Sequence, residues 1–214
     1  MEEQKSFKER VKEVVIQCSK KYKKYYADYE CLICSSAFAI CSYYIIAAHK
    51  DNYLHLTGLH TSLDASNFFE KCYEGTLEET DFDFCKNGLA EKEVKGSVRR
   101  KINTLPLIID LFTCNTFVEE DFNKNKIRCS LAAGTTNVTL GFVVAGKAKP
   151  MTLLKGNELN PNKAKPINIV LRREAETNKF TNIDAGSIEE LRAYSVILSD
   201  KLSDELLSKI SNIQ

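Results

Sequence analysis

The sequence predicts a single α+β domain over residues 1–214, an antiparallel β-sheet with N-terminal, central and C-terminal helices packed on it. Three observations predict it. Apolar residues recur at helical steps near the start of the chain, the period changes to two from residue 116, and Ser187 and Glu190 have capping-box spacing before a last helical run. No repeat, low-complexity tract or Pro/Gly-rich linker divides the chain, and 214 residues can bury one substantial core.

Phe7, Val11, Val14, Cys18, Tyr22 and Tyr25 form one helical stripe, which places a helix at residues 5–27 with lysines on its far side. The apolar stretch from Cys31 to Ala48 is open to helix or strand, and Tyr43-Tyr44-Ile45-Ile46 favours strand. Turn chemistry at His49-Lys50-Asp51-Asn52 then predicts a hairpin between residues 43–48 and 53–57. A helix follows from about Asp64 through Ala65, Phe68, Phe69 and Cys72, and the acidic stretch from Glu74 to Asp83 reads as a surface loop. Val94, Val98, Ile102, Leu105, Ile109 and Phe112 restore helical spacing over residues 90–113, where Pro106 should kink or restart the helix. Strands are expected around Ile127–Leu131, Val138–Val144, residues 151–155 and Ile167–Leu171, with a last hairpin turning at Asn178-Lys179. The C-terminal helical tail covers residues 187–210 through Leu191, Tyr194, Leu198 and Ile210.

Composition is that of an ordinary globular chain, with 43% hydrophobic and 28% charged residues, which excludes wholesale disorder. A net charge of +1 gives no global argument for nucleic acid, but the charge is unevenly spread. Residues 147–179 hold eight basic side chains against three acidic ones, and residues 70–83 hold six acidic against one basic. Such separation can steer an anion to one side. The start of the chain has no secretory character, and the run from Ala37 to Ala48 is too short to span a bilayer. The expectation is a cytoplasmic protein without a membrane segment, whose eight cysteines are mostly buried and reduced.

The chain has three histidines, His49, His55 and His60, all in one neighbourhood. Histidine is the side chain best suited to move protons near neutral pH. In Tyr53-Leu54-His55-Leu56-Thr57-Gly58, read as a strand, the leucines face the core and Tyr53, His55 and Thr57 face the other way. Either this face is solvated, or His55 and His60 serve as acid and base around a phosphodiester, with a cation nearby to hold the developing charge. Arg99, Arg100 and Lys101 lie on the long helix, as a solvated face or as cations reaching a sheet-face pocket. Lys147, Lys149, Thr152 and Lys155 fit either a basic loop tip or a phosphate site. Cys31-x-x-Cys34 lacks the second pair a zinc site needs, so no metal and no cofactor is expected. Gly-x-Gly-x-x-Gly, Walker, Gly-x-Ser-x-Gly and His-Glu-x-x-His patterns do not occur, which removes the usual support for dinucleotide, phosphate-loop, α/β-hydrolase and zinc-protease chemistry.

Tyr53-Leu54-His55-Leu56-Thr57-Gly58-Leu59, Phe68-Phe69, Arg99-Arg100-Lys101-Ile102, Leu140-Gly141-Phe142 and Pro150-Met151-Thr152-Leu153-Leu154 together resemble a nuclease family of Firmicutes phages and mobile elements. It is assigned to the barnase–EndoU–colicin–RelE-like superfamily as phage nuclease family four. The likeness covers roughly residues 29–183, and His-Leu-Thr-Gly-Leu is its most specific part. It implies a barnase/RelE-like core with additions, carrying a metal-independent ribonuclease site on one sheet face. In that chemistry a 2′-hydroxyl attacks the adjacent phosphate and leaves a cyclic phosphate. Carried over by position, His55 is the proton-transfer residue, with Thr57, His60, Lys101 and Thr152 beside it. Tyr53, Arg99, Arg100, Lys155 and Arg172 would bind substrate. The implied partners are RNA, tRNA among the candidates, and a cognate inhibitor or host protein in the manner of a toxin. The alternative is a non-enzymatic phage or host interaction protein, an inhibitor or anti-defence factor, that keeps the fold without the chemistry.

Overall fold

Ser6 starts the first helix, α1 (Phe7–Tyr22), by a reciprocal cap: its hydroxyl accepts from the Glu9 N–H at 3.0 Å, and the Glu9 carboxylate accepts from the Ser6 N–H at 2.6 Å. The structure is a computed structural model and describes residues 5–86, 88–112 and 115–212. α1 buries Val11, Val15, Cys18 and Tyr22, and one π-helical turn over Lys23–Ala27 rotates Tyr26 into the same core, stacked on Tyr22.

The ambiguous stretch after it is strand. β1 (Tyr29–Ser35) and β2 (Tyr44–Ala47) pair antiparallel, with Ile33 opposite Tyr44. The expected hairpin beyond β2 does not form. Residues 53–57 are helical, within α2 (Asn52–Thr57), and the second partner of β2, beside β1, is instead a distant strand. Tyr53, Leu56 and Thr57 are the buried set, at i, i+3 and i+4, and Gly58 closes the turn at φ 73°. Five alternating residues fit both periods, and the core settles the choice. The turn chemistry at 49–52 starts this helix, for the Asn52 side chain accepts from the His49 N–H at 2.9 Å.

α3 (Ala65–Glu74) opens on Asp64, whose side chain accepts from the Asn67 N–H, and it buries Phe68, Phe69 and Cys72. Leu77 and Phe82 anchor the acidic segment around a 3-10 turn at Glu79–Asp81. α4 (Glu91–Thr104) buries Val94, Val98 and Ile102. At Pro106 the chain neither kinks nor restarts an α-helix but tightens into a 3-10 helix, Leu105–Asp110.

The second half supplies β3 (Phe117–Lys124), β4 (Ile127–Gly134), β5 (Val138–Ala145), β6 (Lys147–Lys155), β7 (Lys165–Glu174) and β8 (Asn182–Ala185). The sheet runs β1-β2-β6-β5-β4-β3-β7-β8, and β1 also pairs with β7, so the pairings return on themselves. All pairs are antiparallel except β2 with β6, joined at Ile46 and Ala148, so the expected antiparallel sheet is mixed at one seam. The strand expected from residue 151 begins at Lys147, and Pro150 lies inside it beside a bulge. Ser187 caps α5 (Ile188–Arg192), and α6 (Ser195–Leu198) and α7 (Asp204–Ser211) complete the tail as three short helices.

Alternation along β1 sorts the layers. Cys31 and Ile33 face α1 to α4, whereas Leu32 and Cys34 face Phe180, Leu191, Leu198 and Leu202 beneath the tail. The fold is α+β, with helices on both sides of the sheet.

Candidate functional site

α2 and α4 both pack on β6, and a cleft of about 680 Å³ opens where the three meet. Its polar walls are His55, His60, Thr61, Cys85, Lys86 and Lys101. Leu54, Leu59 and Met151 supply the apolar part. Helical geometry aims His55 here: with Tyr53, Leu56 and Thr57 turned inward, its ring is left to solvent.

Lys101 sits on α4 between the buried Val98 stripe and the cleft. Its methylenes cross Gly58, and its Nζ donates to the His55 carbonyl at 2.6 Å. That oxygen lies in the last turn of α2, where unpaired carbonyls attract a cation. Burial pushes the Lys101 amine down to about 8, and the charge of Lys86 acts in the same direction.

His60 is held by its backbone and its ring. It forms an isolated antiparallel bridge with Asp83, and its Nδ1 lies 2.9 Å from Asp83 Oδ1. The same carboxylate accepts the Cys85 N–H at 2.8 Å. That N–H first, and His60 next, hold Asp83 below the usual carboxylate range. A carboxylate on Nδ1 fixes which ring nitrogen is turned outward, and at His60 that leaves Nε2 for the cleft.

β6 reaches the cleft through a bulge. Gly141 faces Thr152 and Phe142 faces Pro150, so Met151 between them has no partner on β5 and is turned into the cleft wall.

The structure thus brings together His55, His60 and Lys101. Tyr53 and Thr57 lie under them, both fully buried: the Tyr53 hydroxyl donates to the Val15 carbonyl at 2.6 Å, and the Thr57 hydroxyl donates to the Leu54 carbonyl at 2.8 Å. They build the floor on which α2 rests and do not line the cleft. Thr152 has the opposite parity to Leu153 and packs beside Cys129 and Gly141 on the other face of the sheet. Lys155 is exposed at the end of β6. Arg172 is paired with Asp184 at 2.6 Å and lies over the rings of Tyr25 and Tyr29. Arg99 covers the Phe7 ring, and Arg100 is exposed on α4; neither lines the cleft.

Sequence reasoning missed Asp83, Cys85, Lys86 and Met151. The signal for Asp83 was a short alternation, Phe82-Asp83-Phe84, in which both phenylalanines are buried and the aspartate between them must face outward; Cys85 shares that parity, and nothing in the pattern marks Lys86 or Met151. Cys31 and Cys34 point to opposite faces of β1 and do not converge, and burial raises their thiols to about 11 and about 12. Cys18, Cys72 and Cys129 are also buried, Cys41 is half-buried, Cys85 is exposed, and Cys114 lies outside the described residues. Among the described residues, no three His, Cys, Asp or Glu side chains are grouped to hold a metal ion, and no helix is long and apolar enough to cross a membrane.

No curated protein and no solved structure matches the chain. A family model does: that of the phage-Barnase-EndoU-ColicinE5/D-RelE like nuclease 4 proteins matches residues 15–202, from within α1 to the turn before α7. The match takes in the sheet, the cleft and every element that positions it. By this match over most of its length, the chain belongs to the phage-Barnase-EndoU-ColicinE5/D-RelE like nuclease 4 family.

Proposed function

We propose that the protein is a metal-independent endoribonuclease of phage or mobile-element origin, acting on RNA in the cytoplasm, with tRNA among its candidate substrates. The observation that carries the reading is the cleft, where two of the chain's three histidines meet two lysines across the end of α2. RNA cleavage by transesterification needs a base for the 2′-hydroxyl proton, an acid for the departing 5′-oxygen, and positive charge beside the phosphate. His55 and His60 are the proton-transfer pair, and Asp83 orients His60. The 2′-oxygen forms its bond to phosphorus as the 5′-oxygen leaves with a proton, which gives a 2′,3′-cyclic phosphate and a 5′-hydroxyl. Lys101 and Lys86 stand by the phosphate. At pH 7 an amine with a pKa of about 8 still carries its charge in most molecules. Thr152, Lys155, Arg99, Arg100 and Arg172 belong to this reading only as contacts to RNA outside the cleft.

The test is total cellular RNA incubated with the protein in EDTA, beside a folded His55→Ala variant, with the cut ends mapped. Cyclic-phosphate ends are expected from the parent, and the variant should be slower by roughly 10²–10⁴-fold. A variant as fast as the parent would sink the role of His55. One observation favours a second reading, an interaction protein without catalysis: Lys101 already spends its amine on a main-chain carbonyl. On that reading the folded parent cuts no RNA under any condition and captures a tight protein partner, an inhibitor or a host factor.

A further inference from the structure

Gly58 ends α2 in the left-handed region and lies against the side chain of Lys101 from α4. A Cβ at this position would be 2.8 Å from Lys101 Cδ, 3.4 Å from Cε and 3.6 Å from Nζ. Carbon atoms in good contact stand about 3.5–4.0 Å apart, so the first distance is a clash. Past this point the lysine ends on the His55 carbonyl, and His55 also carries the imidazole of the cleft. Gly75 ends α3 in the same way, at φ 79° against 73° for Gly58, yet nothing lies within 4 Å of where its Cβ would be. Both helices use glycine as a left-handed cap. Only at Gly58 is the space of the missing side chain occupied, and a lysine occupies it.

We propose that Gly58 is a positioning residue whose missing side chain is the slot that carries Lys101 to the end of α2, so that the Lys101 amine and the His55 imidazole meet the same RNA phosphodiester. The phosphodiester part rests on the ribonuclease reading above; the slot itself does not. In the slot the amine is half-buried and faces Lys86, with His55, His60 and Cys85 around the same cleft and Asp83 behind them on the His60 ring. A methyl group at Gly58 displaces the flexible lysine more readily than backbone. The amine then returns to water, where its pKa rises.

The test measures the pH dependence of Lys101 acylation by trace acetic anhydride, read by mass spectrometry in the parent, Gly58→Ala and Gly75→Ala. Both substitutions impose the same left-handed backbone strain, so Gly75→Ala controls for strain. The midpoint is expected at about 8 in the parent and in Gly75→Ala, and to move toward 10.5 in Gly58→Ala. One midpoint shared by all three overturns the slot. RNA cleavage by the same samples is expected to fall roughly 10–100-fold in Gly58→Ala, with no further loss when that change is added to Lys101→Met. Independent, multiplying losses overturn the claim that Gly58 acts through Lys101. A parent that cuts no RNA overturns the phosphodiester part alone, because the acylation midpoints still decide the slot. Should Gly58→Ala not fold, Gly58→Ala/Lys101→Ala removes the clash and keeps the strain. It is expected to fold as Gly75→Ala does, and its failure to do so overturns the slot.

Discussion

Glu120 turns its carboxylate toward the loop between β1 and β2, where it accepts the N–H groups of Ala39 at 2.6 Å, Ile40 at 3.1 Å and Cys41 at 3.3 Å, and the Tyr44 hydroxyl at 2.6 Å. Burial alone would raise this carboxyl, but the Tyr44 hydroxyl and the three N–H groups outweigh it and hold it below 4.5. Because the folded value lies below the unfolded one, the stabilisation is whole above pH 4.5 and fades as pH falls through the folded value. Glu120→Ala should therefore cost roughly 1–3 kcal/mol at pH 7, a gap that narrows under acid. Urea unfolding of parent and variant at several pH values measures it, and a gap constant down to acid pH would refute the account. Such an anchor is illegible in sequence, since nothing in Glu119-Glu120 says which carboxylate meets the distant 39–41 loop. The histidines were legible because there are only three of them and they lie together. Their partners, Asp83 and Lys86, come from a segment more than twenty residues away.

At the scale of elements, α2 is the instructive case. Its five-residue alternation matched a strand, but a helix that buries Tyr53, Leu56 and Thr57 contributes two large side chains to the core and puts His55 outside. The β5–β6 pair carries the opposite lesson, since its period of two was plain while its bulge was not. Gly141 makes the bulge possible by close approach: a Cβ there would stand 2.5 Å from Cys129 Sγ and 2.9 Å from Thr152 Cγ2. Gly141→Ala is expected to cost about 1–3 kcal/mol by overpacking, and pairing it with Cys129→Ala should recover part of that. Thermal unfolding of the single and double variants checks the pair, and equal losses in both would show that Cys129 is not what the methyl group meets.

The whole molecule keeps the site and the tail on opposite sides of the sheet. α1 to α4 and the cleft lie on one side of β1, and Leu191, Leu198, Leu202 and Leu206 lie on the other against Leu32, Ile169 and Leu171. Leu198 is fully buried there. Leu198→Ala should cost about 2–5 kcal/mol of stability yet leave the pH midpoint of Lys101 where it is, at temperatures where the variant is folded. A shifted midpoint would mean that the two sides are coupled through the sheet.

The sequence by itself determined the α+β class, the N-terminal helix, the strands around residues 127–131, 138–144, 151–155 and 167–171 and the capping box at Ser187, because each rests on a repeated local period or a cap within a few residues. It also drew attention to His55, His60 and Lys101. Tertiary structure alone decided that residues 52–57 are helix, that β2 runs parallel to β6, and that Tyr53 and Thr57 are floor and not wall. It alone joined Asp83 to His60 and threaded Lys101 past Gly58. The physical reason is the range of the forces involved. Period and capping act over a turn or two of chain, whereas burial and pairing compare segments that meet only once the sheet has formed.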